Sequence, residues 1–251
     1  MQRATGTGRS SSLTKSPKEP VTTELALRLP ETIGDVSALL QRPRQARWLL
    51  VLAHGAGAGM RHLFMETLAA ELERTGVATL RYQFPYVQQG RVRPDPPSVL
   101  TATVRAAIAA AAEASPDLPL LAGGKSLGGR MTSHVFAELS RSDTPEGVMR
   151  VRGLVFFGFP LHPPDRPHTK RAEHLDRVRL PMLFLQGTRD ALASLPLIQT
   201  LCARLADRAT LHLIETADHS FHVLKRSGRA DPDVLRELAG TAASWADSLR
   251  V

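Results

Sequence analysis

Short, almost continuously apolar runs, each ending in glycine or a polar turn, constrain this chain more than any other feature. Trp48–Ala53 (WLLVLA) leads into His54-Gly55-Ala56-Gly57-Ala58-Gly59, Leu118–Ala122 repeats the form, and Val77–Tyr82, Leu154–Phe157, Met182–Gln186 and Thr210–Ile214 read as further strands. Runs this apolar read as strands buried on both faces, which happens where helices cover a parallel sheet on both sides. Stretches of helical period separate them. One runs from His62 to about Thr75 and is closed by Gly76, and another, Ala-rich, starts from Ser98 as N-cap. Leu127–Leu139 sets Leu127, Met131, Val135 and Leu139 four apart on one face, Leu195–Leu205 follows, and Asp233–Leu249 closes the chain with Pro232 near its start. Glu24–Leu29 and Val36–Leu40 add two short strands at the beginning, read as antiparallel. Strand and helix in this rhythm imply parallel pairing with right-handed crossovers. The expected fold is α/β: a doubly wound, mostly parallel sheet of about eight strands, in one domain over residues 21–251.

Residues 1–20 are Ser-rich and basic and offer almost nothing to bury, so they are expected to be a disordered tail, with a targeting peptide as the alternative. They carry no apolar segment of the kind that marks secretion. No stretch reaches the roughly 18–20 apolar residues of a membrane span, and the single cysteine, Cys202, cannot form an internal disulfide. A cytoplasmic location is the expectation. The formal net charge of +8 raises the question of a nucleic-acid partner. The charges are scattered and aromatic residues make up only 5% of the chain, so stacking platforms for bases are scarce and neither nucleic acid nor membrane is expected. Abundant Arg, Ala, Gly and Pro fit compositional drift.

In a sheet of this kind ligands bind outside the carboxyl ends of the strands. After Leu118–Ala122 comes Gly123-Gly124-Lys125-Ser126-Leu127-Gly128-Gly129 and then a helix. Gly124-x-Ser126-x-Gly128 is a G-x-S-x-G sequence in strand–turn–helix context, where a tight turn lifts the serine over the sheet at a helix N-terminus. A Gly-rich turn with a structural serine is the plain alternative. Gly124-Lys125-Ser126 also matches the end of a phosphate-binding loop, but the required earlier glycine is replaced by Pro119 inside the strand. A serine nucleophile needs an acid and a base from later strands, in that order. Met182–Gln186 runs into Gly187-Thr188-Arg189-Asp190, and Thr210–Ile214 runs into Glu215-Thr216-Ala217-Asp218-His219. Asp190 is the candidate acid, with Asp218 and Asp207 as competitors. His219 is the candidate base, because imidazole titrates near neutral pH; His222, expected on an emerging helix and pointing away, competes. His219-x-x-His222 lacks a carboxylate or thiol cluster, so no metal is expected. The glycine-rich turn after Trp48–Ala53 is where an oxyanion donor belongs, and Ala56 N–H is assigned with Leu127 N–H as its partner, Gly57 being the alternative to Ala56.

Together HGAGAG, GGKSLGGR, GFPLHPP, LQGTRD and ADHSF resemble the α/β-hydrolase superfamily over nearly the whole chain from about residue 24. They are most similar to a small, dienelactone-hydrolase-like branch that includes the testis-expressed protein 30 family and the hydrolase-like domain of a chromatin acetyltransferase-complex subunit. The resemblance implies Ser126 as nucleophile, Asp190 as acid and His219 as base. Serine in place of the cysteine of dienelactone hydrolases proper means that their substrate is not inherited.

The segment from Phe159 to Leu180 is too short for a large cap, so a shallow, uncapped pocket for small or extended acyl groups is expected. Arg166, His168, Lys170 and Arg171 on that segment, with Arg91 and Arg93 after Tyr82, suggest a basic rim for anionic substrates; Arg91, Arg166 and Lys170 are its candidate contacts. The expected function is cleavage of carboxylic esters or thioesters through an acyl-enzyme, without a cofactor, on a small-molecule acyl substrate. A non-catalytic interaction module and a peptidase or lipase are the alternative readings. The uncapped face and the Leu- and Ala-rich helices are compatible with a homodimer.

Overall fold

The computed structural model describes residues 21–139 and 146–249; the tail expected over residues 1–20 lies outside them. Eight strands form one sheet: β1 (Val21–Leu27), β2 (Val36–Arg42), β3 (Trp48–Ala53), β4 (Val77–Tyr82), β5 (Leu120–Lys125), β6 (Val151–Phe157), β7 (Met182–Gly187) and β8 (Ala209–Ile214). Their order is β1-β2-β4-β3-β5-β6-β7-β8. β2 runs antiparallel to β1 and β4, while every pairing from β4 onward is parallel. Seven α-helices accompany them among the described residues: α1 (Leu63–Arg74), α2 (Pro85–Gln88), α3 (Pro97–Ala114), α4 (Leu127–Glu138), α5 (Glu146–Met149), α6 (Leu195–Leu205) and α7 (Asp231–Ser248).

Strands β3 to β7 bury both faces, whereas β8, at the edge of the sheet, is largely half-exposed. Leu49, Val51 and Ala53 of β3 join one core with Ile108 of α3, Val135 of α4 and Leu201 of α6, whereas Trp48, Leu50 and Leu52 join a second core with Leu68 of α1 and Leu238 of α7. Alternation of side chains along a strand makes this division, and it separates an α3/α4/α6 layer from an α1/α7 layer. No helix among the described residues is long and apolar enough to cross a membrane.

Several boundaries differ from those expected. β5 does not stop at Ala122 but continues through Gly123, Gly124 and Lys125, which pair with Val155, Phe156 and Phe157 of β6. β1 spans Val21–Leu27 instead of Glu24–Leu29, because β2 pairs with it along its whole length. α3 begins at Pro97 with Pro96 in the N-cap position, two residues before the expected cap Ser98; proline suits the first turn, where its missing N–H has no helical acceptor to lose. The segment Phe159–Leu180 holds one 3₁₀ helix, Lys170–Arg177, and no cap domain.

Candidate active site

β5 passes into α4 through a single residue, Ser126. Its backbone sits at φ 50°, ψ −113°, a conformation that costs a side-chain-bearing residue about 1–3 kcal/mol and persists only where the surroundings enforce it. Two close approaches enforce it here. A Cβ on Gly124 would lie 2.3 Å from the Ala53 carbonyl oxygen, and one on Gly128 would lie 2.6 Å from the carbonyl oxygens of Ala53 and His54. Only glycine lets β5 and α4 press this closely on β3, and the pressure lifts Ser126 above the strand ends.

The loops after β7 and β8 bring the other two candidates to the serine. His219 Nε2 lies 2.9 Å from Ser126 Oγ, and His219 Nδ1 lies 2.7 Å from Asp190 Oδ2. An ionised carboxylate only accepts, so Nδ1 carries the proton and Nε2 is left to accept from the serine hydroxyl. Asp190 is 5% exposed and is held on both oxygens: Leu192 N–H donates to Oδ1 at 2.7 Å, and the Gln186 amide donates to Oδ2. Gln186 in turn accepts from Phe159 N–H at 2.9 Å. Sequence reasoning missed this residue, although a glutamine closing the run Met182–Gln186 was a visible signal. The two loops are tied together by Thr216 N–H to Thr188 Oγ1 (2.9 Å) and Arg189 N–H to the Ala217 carbonyl (2.9 Å).

The turn after β3 flanks the serine. Ala58 N–H donates to the Gly55 carbonyl, Gly57 takes φ +72°, and a Cβ on Gly55 would lie 3.7 Å from Ser126 Cβ. Ala56 stands in this turn and Leu127 is the first residue of α4, whose N–H has no acceptor within the helix. His54 fixes the turn from below: it is fully buried, its Nε2 accepts from Phe84 N–H at 3.1 Å, and burial lowers its pKa to about 4, so it remains neutral. It is a structural histidine.

The competing candidates do not join the hydrogen-bonded chain of Ser126, His219 and Asp190. Asp218 Oδ1 accepts from Ser220 and His222 N–H, which folds the turn that presents His219. Asp207 precedes β8, at the amino ends of the parallel strands and away from the site. His222 is in a loop, not on a helix, and its Nδ1 meets Asp231 at 2.6 Å.

Ser126 and His219 open onto a cavity of about 760 Å³, whose walls come from the starts of α1 and α7 through Leu63, Phe64, Pro232 and Leu235, together with Lys125 at its floor. The basic rim is not part of it: Arg91, Arg166 and Lys170 do not line the cavity. Arg91 pairs with Asp95 at 2.6 Å. The cause is the side of the sheet. Tyr86, Leu161 and Ala172, which anchor the segments bearing those residues, belong to the α3/α4/α6 core, whereas the cavity is built on the α1/α7 layer.

The fold and this arrangement define an α/β hydrolase. A family model described as "Alpha/beta hydrolase domain" matches residues 46–247, and the chain belongs to that family. Among solved structures it is similar to a dienelactone hydrolase from Anabaena variabilis, with 21% identity, a TM-score of 0.69, and 92% of this chain and 99% of that one covered. It is also similar to a Xanthomonas campestris member of the α/β serine hydrolases without lid (18% identity, TM-score 0.66, 92% and 96% covered). A serine hydrolase homologue from Coxiella burnetii stands close to these (18% identity, TM-score 0.65, 92% and 98% covered). At these identities the likeness is one of fold.

Proposed function

We propose that the protein is a serine hydrolase of carboxylic esters or thioesters that works through an acyl-enzyme. The observation that carries this reading is the unbroken hydrogen-bonded chain Asp190–His219–Ser126 at the mouth of an apolar cavity. Ser126 Oγ attacks the acyl carbon while His219 Nε2 takes its proton. Asp190 holds the imidazole and stabilises the imidazolium that forms. The N–H groups of Ala56 and Leu127 receive the oxyanion, Leu127 with the added help of the α4 dipole. Collapse of the tetrahedral adduct breaks the bond to the alcohol or thiol, which leaves with the proton from His219. Water then repeats the sequence on the acyl-Ser126 ester and releases the acid. The motif set, with serine at the elbow, supports membership of the branch that includes the testis-expressed protein 30 family.

Labelling with a fluorophosphonate probe tests the reading. The wild type should form an adduct that Ser126→Ala and His219→Ala both lose; a folded wild type that forms none would instead favour a non-catalytic interaction module.

A further inference from the structure

Lys125 occupies the variable position before Ser126, yet it is not a bystander. Its ammonium donates a 2.6 Å hydrogen bond to the backbone carbonyl of His219, and it lies 5.3 Å from the ring centre of Phe221 and 6.0 Å from that of Phe64. These two rings stack on one another at 5.8 Å. Gly158, at the end of β6, leaves the space on the remaining side: a Cβ there would stand 3.1 Å from Nζ. Among the described residues this is the bond that links the elbow to the backbone of His219 itself.

We propose that Lys125 is a positioning residue for the hydrolytic reaction, its ammonium clamping the His219 loop in register with Ser126. This inference rests on the serine hydrolase reading. Thr216 and Phe221, on either side of His219, both take positive φ (61° and 68°); Thr188 Oγ1 and the Asp218 carbonyl hold these two flanks, and the Lys125 bond holds the His219 carbonyl between them. An ammonium set over two aromatic rings and bonded to one carbonyl, at the floor of a largely apolar cavity, is a costly device. Methionine would fill the same volume without a charge to desolvate, so the fold has no need of the lysine. The charged groups that face it are the carboxylates of Asp190 and Asp218, which favour the ammonium, while desolvation outweighs them and lowers its pKa to about 8. The imidazole of His219 adjoins it, and α1 contributes only Phe64 to the clamp.

The test compares wild type, Lys125→Met and Lys125→Cys on a short-chain p-nitrophenyl ester, with thermal melting of each. A misplaced base lowers kcat by about tenfold to a hundredfold while KM stays within about threefold. Lys125→Met should show that split together with a melting temperature equal to or above that of the wild type. The wild type should lose kcat as pH rises through about 8, where the ammonium is lost, and Lys125→Met should lack that decline. Alkylation of Lys125→Cys with 2-bromoethylamine rebuilds an ammonium of nearly lysine length and should restore kcat. Cys202 does not interfere, since it is buried and its thiol is pushed up to about 12. A kcat unchanged in Lys125→Met, a change confined to KM, or a failure of alkylation to restore turnover would each overturn the inference while leaving the hydrolase reading intact. A wild type that neither labels nor turns over would overturn both.

Discussion

Asp190 is the residue whose surroundings say most about the site. Its carboxylate is almost wholly buried, yet each oxygen has a donor besides His219, and a carboxylate so held cannot swing away from the imidazole. Gln186→Leu would remove one donor and leave Phe159 N–H without its acceptor. The expected results are a kcat lower by about tenfold through a loosened His219 and a stability loss of about 1–3 kcal/mol from the stranded buried N–H. Steady-state kinetics and urea titration check both, and wild-type values in both would contradict the role given to Gln186. Ser126, Asp190 and His219 were legible in the sequence, because each stands in a turn after a strand and the order serine, acid, histidine matches the chemistry of the three side chains. Gln186 was overlooked because it lies inside such a run, where polarity was not weighed. Arg91, Arg166 and Lys170 do not line the cavity for another reason. The sequence tells at which end of the sheet a loop emerges, but not over which face it folds, and these loops fold over the face opposite the cavity.

At the scale of elements, the site depends on how closely β5 and α4 approach β3. Gly128→Ala would drive a Cβ to within 2.6 Å of two carbonyl oxygens, forcing α4 away from the turn that carries Ala56. Overpacking of this kind costs about 1–3 kcal/mol. Here it should also separate the two N–H groups assigned to the oxyanion, so kcat should fall more than stability suggests. Circular dichroism melts beside kinetics test this, and a variant that melts early but keeps its kcat would remove Gly128 from the account. The central strands and long helices were readable because burial on both faces erases the polar alternation of ordinary strands. The end of β5 was not, since glycines read as a turn whether or not they pair. Here Gly123 and Gly124 pair with Val155 and Phe156, and this compresses the elbow to one residue. The short helices α2 and α5 carry too few residues for a period to show.

For the molecule as a whole, acidity is a predicted weakness. Burial lowers the pKa of His54 to about 4 and that of His174 to about 3, with nearby His134, Arg130 and Arg177 adding to the effect at His174. Between these values and the ordinary 6.5 the unfolded chain binds protons that the folded chain refuses. Stability is therefore present above about pH 6.5 and declines as pH falls toward 4. Urea midpoints at pH 7, 5.5 and 4.5 should drop in that order, and the drop should be shallower in His174→Gln; a flat profile would contradict the burial of these rings. Charge bears on substrate choice as well. Lys125, inside its clamp, is the lone lysine lining a cavity that has no arginine among its lining residues and is otherwise built largely of apolar groups such as Leu63, Phe64 and Leu235. Despite the net charge of +8, neutral acyl esters should therefore be cleaved faster than carboxylate-bearing ones. A preference for the anionic esters that weakens with salt would revive the basic rim.

The central claim is that Ser126 becomes acylated during turnover. Acid quenching in the first turnovers on p-nitrophenyl butyrate, followed by mass spectrometry of the digested protein, tests it most directly. The account predicts a butyryl adduct on the peptide bearing Ser126, absent in Ser126→Ala and short-lived when His219 is intact. Hydrolysis that proceeds with no adduct at Ser126, or with the acyl group on another side chain, would contradict it.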